Sequence, residues 1–140
     1  MSIPFGVKIP FVDHLGFSLE KFEGGHSELL FAPRPEHCNS FDVTHGGAVM
    51  TFLDVIMATA ARSVEPDMGV VTIEMKTTFM RPAKASPGQA LVGQGQLQHR
   101  TRSMAFTEGS VFDAQGQLCA RATGTFKYVS RRESPSISTD

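Results

Sequence analysis

Cysteine is scarce in this 140-residue chain, and Cys38 and Cys119 are the only two. Two cysteines cannot build the disulfide framework of a small secreted domain. No apolar run approaches the roughly 20 residues that a membrane-spanning helix needs. The N-terminal segment carries a lone Lys8 and two prolines, which is unlike a secretory signal. We therefore expect a cytoplasmic protein with reduced thiols and no membrane association.

Net charge is also small, because 13 Lys and Arg residues oppose 14 Asp and Glu residues and leave −1 with neutral histidines. This balance disfavours a broad basic surface for nucleic acid or for an anionic membrane.

The length suits one domain, since domains commonly span about 100–150 residues. We predict a single domain over residues 1–140, with an N-terminal arm or short helical turn over about 1–12 and a frayed polar tail over 130–140.

One long helix is predicted from Gly46 to Ser63, and Pro66 follows its end. Alternation and turn signals predict two short strands within 15–32, around Gly24-Gly25, and further strands at Val71–Phe79, Gln89–His99, Ser103–Phe112 and Gln117–Val129. Short turns between consecutive strands favour an antiparallel sheet, and the single helix must cover one of its faces. The fold class is therefore α+β.

The strand from Val71 to Phe79 has a clear period of two. Its apolar residues alternate with polar ones, which predicts a half-buried strand. The residues expected to face the core are Val71, Ile73, Met75 and Phe79.

Asp54 is the only ionisable residue between Gly46 and Ala61 in the predicted helix. A helix that is apolar nearly all round is a buried helix, and a lone carboxylate there is costly unless it is hydrogen-bonded, paired or functional. Burial raises a carboxyl pKa, and perturbed pKa values are typical of catalytic groups. The alternative is that Asp54 lies on a narrow solvated stripe with Thr51 and Arg62.

The start of the predicted helix is marked by His45-Gly46-Gly47. The first helical turn has free N–H groups and a partial positive charge, which can stabilise a carbonyl oxygen that becomes negative. Alternatively, the glycines only allow tight packing, and Thr44 or His45 is an ordinary cap.

Gly46 and Asp54 are eight residues apart, so about 12 Å along one helix. If both act on one carbonyl, Asp54 must meet the start of a symmetry-related helix, as a two-fold dimer allows.

The combination of Asn39, His45-Gly46-Gly47 and Asp54, followed by VTIEMKTTFMRPA over 71–83, resembles the hotdog-fold acyl-CoA thioesterases. Within them it is most similar to the phenylacetate-pathway (PaaI-like) branch, and the likeness covers roughly residues 13–129. The resemblance implies a hotdog fold, in which a curled antiparallel sheet of about five to six strands wraps one long central helix. It also implies an acyl-CoA substrate, with no cofactor apart from the coenzyme A of that substrate.

The resemblance assigns roles by position. Asp54 matches the helix carboxylate that activates water or attacks the thioester, and Gly46 matches the glycine whose N–H polarises the thioester carbonyl. Asn39 matches the asparagine that helps to hold water or thioester, and Thr72 matches the residue that assists the carboxylate. In this family Asn39 and Gly46 of one subunit face Asp54 and Thr72 of the other. A homodimer with sites at its interface is therefore implied, and pairing into a dimer of dimers is expected.

Further residues are candidates for binding the substrate. His45 either contacts the thioester or fixes the loop before the helix. An apolar helix wall that includes Phe52, Val55 and Ile56 is a candidate acyl pocket, which suits aryl-acetyl or short-to-medium acyl groups. The phosphates of coenzyme A favour basic side chains near predicted loops. The full set of expected substrate-binding residues is His45, Gly47, Phe52, Arg81, Lys84 and Arg102.

The leading prediction is hydrolysis of an acyl-CoA to a free acid and coenzyme A. Two other hypotheses remain: a non-catalytic acyl-CoA-binding protein and an enoyl-thioester hydratase. The spacing of His45 and Asp54 fits poorly with the paired histidine and acid that a hydratase uses. A Cys38 nucleophile with a histidine base is also conceivable. His37, Cys38 and His45 lack the spacing of a zinc site, so no metal is expected.

Overall fold

The central helix and the sheet around it account for most of the chain. The computed structural model describes residues 2–84 and 86–131. Its elements are helix α1 (Pro10–Leu15), strands β1 (Ser18–Glu23) and β2 (His26–Phe31), a 3₁₀ helix (Pro35–His37), helix α2 (Gly46–Arg62), and strands β3 (Met68–Phe79), β4 (Leu91–Arg100), β5 (Met104–Phe112) and β6 (Leu118–Ser130). The strands form one antiparallel sheet in the order β1-β2-β4-β5-β6-β3, and α2 packs against all of them. The predicted α+β fold, a curled sheet around one helix, is confirmed.

Glycines on the inner face of the sheet let α2 approach it closely. A Cβ at Gly93 or at Gly95 would collide with Ile56 of the helix. The hydroxyl of Ser27 in β2 donates to the Ile56 carbonyl (2.7 Å), which fixes the helix against the same region of the sheet. Phe52, Leu53, Ile56 and Met57 of α2 are fully buried as a result.

The two edges of the sheet differ. Beside β1, Ile3 of the N-terminal arm forms an antiparallel bridge to Leu19. On the other edge, β3 pairs with β6 along its whole length and has no second neighbour within the described residues. Val71 and Ile73 of β3 are 46% and 52% exposed. An open edge strand with exposed apolar side chains is a ready template for pairing with another chain.

The predicted alternation of β3 is correct for only part of the strand. The Thr72 side chain points to Asp54 of α2, and Val71 is exposed, so the expected order of inner and outer residues is reversed there. The register then shifts between Thr72 and Glu74. An extra residue in one strand exchanges the two faces beyond it. Met75 therefore packs on the core as predicted, whereas Ile73 does not.

Element boundaries differ from the predictions by a few residues. Helix α1 extends from Pro10 beyond the predicted arm, and β3 begins three residues earlier than expected. Of the predicted tail, Ser130 is the last residue of β6, and residues 132–140 lie outside the described residues. In the described part of the chain, no helix combines the length and the apolar character that crossing a bilayer requires.

Candidate active site

The first turn of α2 presents a backbone donor. His45 is the N-cap: its Nδ1 accepts a hydrogen bond from the Gly47 N–H (2.8 Å), and its carbonyl accepts from the Ala48 N–H (2.9 Å). The Gly46 N–H has no hydrogen-bond partner among residues 2–84 and 86–131. This free donor lies at the positive end of the helix, where it can stabilise a negative oxygen.

The loop before α2 is held by Asn39. Its Oδ1 accepts hydrogen bonds from the N–H groups of Phe41 (2.8 Å) and Val43 (3.2 Å). Thr44 then anchors the loop, because its hydroxyl and its N–H both donate to the Ala83 carbonyl. Since the loop uses the amide oxygen of Asn39, the amide nitrogen is the group left to contact a ligand.

A groove of about 460 Å³ joins Asn39 and Gly46, and we call it the Gly46 groove. Phe41, which is 80% exposed, stands beside Asn39 on its wall. Sequence reasoning missed this aromatic ring, although a lone phenylalanine in a polar loop is an available signal. The other apolar lining residues are Val43, Val49, Phe79, Met80, Ala83 and Ala120.

Asp54 lies in the middle of α2 and is half-buried. The Thr72 hydroxyl donates to its Oδ1 over 2.6 Å. Burial raises the pKa of Asp54 above the ordinary aspartate value, and the Thr72 hydrogen bond offsets part of that rise. A partly desolvated carboxylate with a raised pKa is better suited to accept a proton than a fully hydrated one.

A second groove, of about 300 Å³, contains Asp54 and Thr72, and we call it the Asp54 groove. Its walls are mostly aliphatic, and the basic side chains of Arg62 and Arg131 lie where α2 ends and β6 ends. The aliphatic lining residues are Val7, Ile9, Val12, Val55, Ala58, Val70, Val71 and Val129.

The two grooves belong to opposite ends of the same helix. None of the described lining residues is common to both. Gly46 and Asp54 are separated by about 12 Å along the axis, given 1.5 Å per residue. One chain therefore holds two half-sites, a backbone donor in one groove and a carboxylate in the other.

The apolar residues predicted to line an acyl pocket are divided by the structure. Val55 does line the Asp54 groove. Phe52 instead packs in the core, with its ring centroid 4.9 Å from that of Phe17, and Ile56 is fully buried. The reason is helical geometry, since residues next to each other in an α-helix point about 100° apart. Gly47 is exposed, and its N–H is bonded to His45.

The predicted basic residues are exposed and lie far apart. Arg81 lines the Gly46 groove, and its N–H donates to the Cys119 carbonyl near the start of β6. Arg102 lies in the turn between β4 and β5, which is bonded to Tyr128 at the other end of β6. Lys84 follows Ala83 of the Gly46 groove. One chain therefore does not bring Arg81 and Arg102 together.

The histidines and the cysteine before α2 serve the local structure. His37 is buried, and its Nδ1 accepts from the Arg34 N–H (3.0 Å). The Cys38 thiol lies 3.7 Å from the Arg34 carbonyl oxygen. No group of three His, Cys, Asp or Glu side chains suited to a metal ion occurs in the part of the chain that the structure describes.

Arg62 does not lie on a solvated stripe of α2. A solvated stripe of Thr51, Asp54 and Arg62 was the alternative explanation for the carboxylate in α2. Arg62 is only 7% exposed, however, and it lines the same groove as Asp54. The spacing of eight residues, which is close to two helical turns, is the signal that relates the two side chains.

Comparison with known proteins identifies the family. A family model described as "Thioesterase superfamily" matches residues 41–120, which include Gly46, Asp54 and Thr72. This chain belongs to the thioesterase superfamily. Two curated relatives of this superfamily member are a Saccharolobus solfataricus protein named "Putative esterase SSO1253", 29% identical over 112 residues (80% of this chain and 73% of the relative), and acyl-coenzyme A thioesterase 13 of Pongo abelii, 31% identical over 91 residues (64% of each chain).

Solved structures support the fold of this superfamily member. The PaaI protein of the E. coli phenylacetic acid degradation operon has a TM-score of 0.80 at 19% identity, covering 88% of this chain and 86% of its own. The smu.793 protein of Streptococcus mutans, solved with bound acetyl CoA, has a TM-score of 0.73 at 24% identity, covering 81% and 89%. At these identities the similarity demonstrates a shared hotdog fold.

Proposed function

We propose that this protein hydrolyses acyl-CoA thioesters to a free carboxylic acid and coenzyme A. The observation that carries the proposal is the half-buried Asp54 carboxylate, which accepts a 2.6 Å hydrogen bond from Thr72 inside an aliphatic groove. The superfamily membership, the relative named as an acyl-coenzyme A thioesterase and the neighbour solved with acetyl CoA support this choice of substrate.

In the proposed reaction Asp54 accepts a proton from water, and the water oxygen adds to the thioester carbonyl carbon. The carbonyl oxygen becomes negative and is stabilised by the Gly46 N–H at the start of α2. Asn39 positions water or thioester through its amide nitrogen. The C–S bond then breaks, the sulfur leaves as thiolate and takes the proton from Asp54 to give free coenzyme A, and the carboxylic acid remains. Direct attack by the Asp54 carboxylate, followed by hydrolysis of the resulting anhydride, is the other route open to the same residues.

A second copy of the chain completes the proposed site. Gly46 and Asp54 of one chain cannot reach one carbonyl, so the donor and the carboxylate come from different subunits. The open edge of β3 is the surface that we propose for pairing, because its exposed apolar side chains lie next to Thr72. An isologous two-fold interface creates two equivalent sites. Pairing of two such dimers into a tetramer remains a prediction.

The acyl group lies in the Asp54 groove in this proposal, and the coenzyme A lies towards the surface, where Arg81 and Lys84 are exposed. Arg102 is contributed by the other subunit in this proposal, since it lies at the opposite end of β6 from Arg81. His45 acts mainly as the helix cap, since its Nδ1 is occupied by the Gly47 N–H. The chemistry requires only the thioester and water.

Thiol release from a panel of acyl-CoAs tests the proposal, with aryl-acetyl, short, medium and long acyl groups and the Asp54→Asn variant beside each. We expect turnover by the wild type and a loss of about 10²–10⁴-fold in the variant, the usual contribution of a general base. An equal rate in Asp54→Asn would contradict the mechanism. Tight acyl-CoA binding without thiol release would favour a binding protein, and conversion of an enoyl-CoA to a hydroxyacyl-CoA would favour a hydratase.

A further inference from the structure

The Asp54 groove ends at a buried cation. Asp54, Ala58 and Arg62 are spaced by four residues, so they form one row along α2. The middle residue is alanine, which leaves open space between the carboxylate and the guanidinium. Helical side chains lean towards the N-terminus, so the stem of Arg62 is directed back towards Ala58. All three residues line the groove.

Arg62 has few partners for so buried a cation. The side chain is 7% exposed, and its Nε is buried without a hydrogen-bond partner among the described residues. One Nη donates weakly to the Phe5 carbonyl (3.3 Å), and the guanidinium lies 5.4 Å from the centre of the Phe22 ring. Neither contact supplies a negative charge. Burying an unpaired charge is costly, so a carboxylate at this position would be strongly favoured.

A second guanidinium adds to the positive end of the groove. Arg131 lines it and donates to the Met68 carbonyl (3.0 Å). Burial lowers the pKa of Arg62, and the charge of Arg131 lowers it further. Lys8 also lines the groove, but its ammonium lies 3.1 Å from the Asp13 carboxylate. Asp54 is the one acidic residue among the described lining residues, and it stands at the other end.

The walls between these ends are aliphatic. Val55 and Ala58 of α2 face the groove from one side, and Val70 of β3 faces it from the other. A chain of methylene groups suits this middle section, and an anion suits the end at Arg62. A fatty acyl group would place its methyl terminus at this positive end and supply no negative charge to either guanidinium.

We propose that the preferred substrates are ω-carboxyacyl-CoAs, whose acyl chain carries a carboxylate at its far end that pairs with Arg62. This inference rests on the proposed function, because it places the thioester beside Asp54. Arg62 is then a specificity-determining residue, and Arg131 reinforces the positive field around the bound carboxylate.

The test compares adipyl-CoA with hexanoyl-CoA, which has the same number of carbons but ends in a methyl group. We expect kcat/KM of the wild type to favour adipyl-CoA by about 10- to 100-fold, as a charge-assisted hydrogen bond provides. Arg62→Met should bring the ratio of the two values close to one, and Arg62→Lys should retain part of the preference. Arg121→Met removes an exposed arginine outside the groove and should leave the ratio unchanged.

Several outcomes would overturn the inference. Equal or better turnover of hexanoyl-CoA would do so while leaving the proposed hydrolysis intact. An equal loss for both substrates in Arg62→Met would show that Arg62 holds a coenzyme A phosphate or the N-terminal arm instead. Circular dichroism and the unfolding midpoint check that the Arg62 variants fold. If Arg62→Met does not fold, the comparison is made with Arg62→Lys.

A binding measurement separates this inference from the hydrolysis itself. Calorimetric titration of the Asp54→Asn variant with the same two thioesters requires no turnover. Adipyl-CoA binding at least tenfold more tightly than hexanoyl-CoA supports the carboxylate site, even if no acyl-CoA is hydrolysed. Equal affinities would exclude the carboxylate site, whatever the thiol-release assay shows.

Discussion

In the proposed reaction, the two grooves of this chain have different chemical tasks and use different parts of the polypeptide. The Gly46 groove relies on the backbone: a free N–H at a helix start and a loop fixed by the Asn39 side chain. The Asp54 groove relies on one side chain, a carboxylate made more basic by burial and steadied by Thr72. A donor for a developing oxyanion must be rigid, and a base must be partly desolvated. The proposed reaction therefore needs both grooves.

The comparison predicts that damage to one half-site can be repaired by the other subunit. Asp54→Asn removes the carboxylate, and Gly46→Pro removes the N–H at the first helical position, where proline is tolerated. His45 already has the extended backbone (φ −58°, ψ 138°) that a following proline requires. Each variant alone should lose about 10²–10⁴-fold activity. Co-expression of the two should restore about a quarter of wild-type activity, since half of the dimers then contain one intact site.

Gly46→Ala is the matched control, because alanine keeps the N–H. Its Cβ would lie 3.6 Å from the Phe79 ring, which is an ordinary van der Waals contact. We expect this variant to remain active. Activity in Gly46→Pro equal to that of Gly46→Ala would remove the backbone donor from the mechanism. Failure of co-expression to restore activity would place both halves of the site in one subunit.

A substitution that prevents pairing at the edge of β3 should separate the Gly46 groove of one subunit from the Asp54 groove of the other. Lysine on an open edge strand opposes strand pairing, so Ile73→Lys should convert the proposed dimer to monomers and lower kcat/KM by at least about 10²-fold. Analytical ultracentrifugation and thiol release are the measurements. Thr123→Lys, at an exposed position of β6, is the control and should change neither. A monomer with full activity would contradict the shared site.

A smaller effect is expected when the hydroxyl that holds the carboxylate is removed. The 2.6 Å hydrogen bond from Thr72 lowers the pKa of the Asp54 carboxyl. Thr72→Val deletes this hydrogen bond, so the pKa of Asp54 should rise. The acid limb of the pH–rate profile should therefore move to higher pH, and kcat at neutral pH should fall about tenfold, in line with a hydrogen bond to a charged group. Thr72→Ser keeps the hydroxyl and should restore the profile; an unmoved acid limb in Thr72→Val would argue against this role.

The smallest expected effect concerns stability. Burial holds the pKa of Asp54 above its unfolded value, so the folded state loses stability as pH rises from the unfolded pKa through the folded pKa. Asparagine does not ionise, so Asp54→Asn keeps this stability. Its free energy of unfolding at neutral pH should exceed that of the wild type by up to about 1 kcal/mol. The difference should vanish below the ordinary aspartate pKa. Urea unfolding at equal protein concentration at both pH values measures it, and a destabilised variant at neutral pH would refute the argument.

Local sequence predicted the helix and the number of strands well, because each depends on periodicity and on turn residues close in the chain. The start of α2 at Gly46 follows from His45-Gly46-Gly47 and the apolar run behind it. The inner face of β3 could not be predicted, since the bulge between Thr72 and Glu74 arises from pairing with β6, which is some 50 residues away. The burial of Arg62 could not be predicted for the same reason, because its contacts are with Phe5 and Phe22, far away in the chain.

The sequence by itself determined that a lone carboxylate would lie in an apolar helix eight residues after a glycine-rich helix start. That spacing already excluded a complete site on one helix, because the rise per residue is a property of every α-helix. Contacts made only in the folded chain bring Thr72 to Asp54, leave β3 without a second neighbour among the described residues, and place Arg62 in the same groove as Asp54. These outcomes depend on contacts between segments far apart in the chain, and burial, which sets the pKa of the carboxylate, exists only after those segments pack.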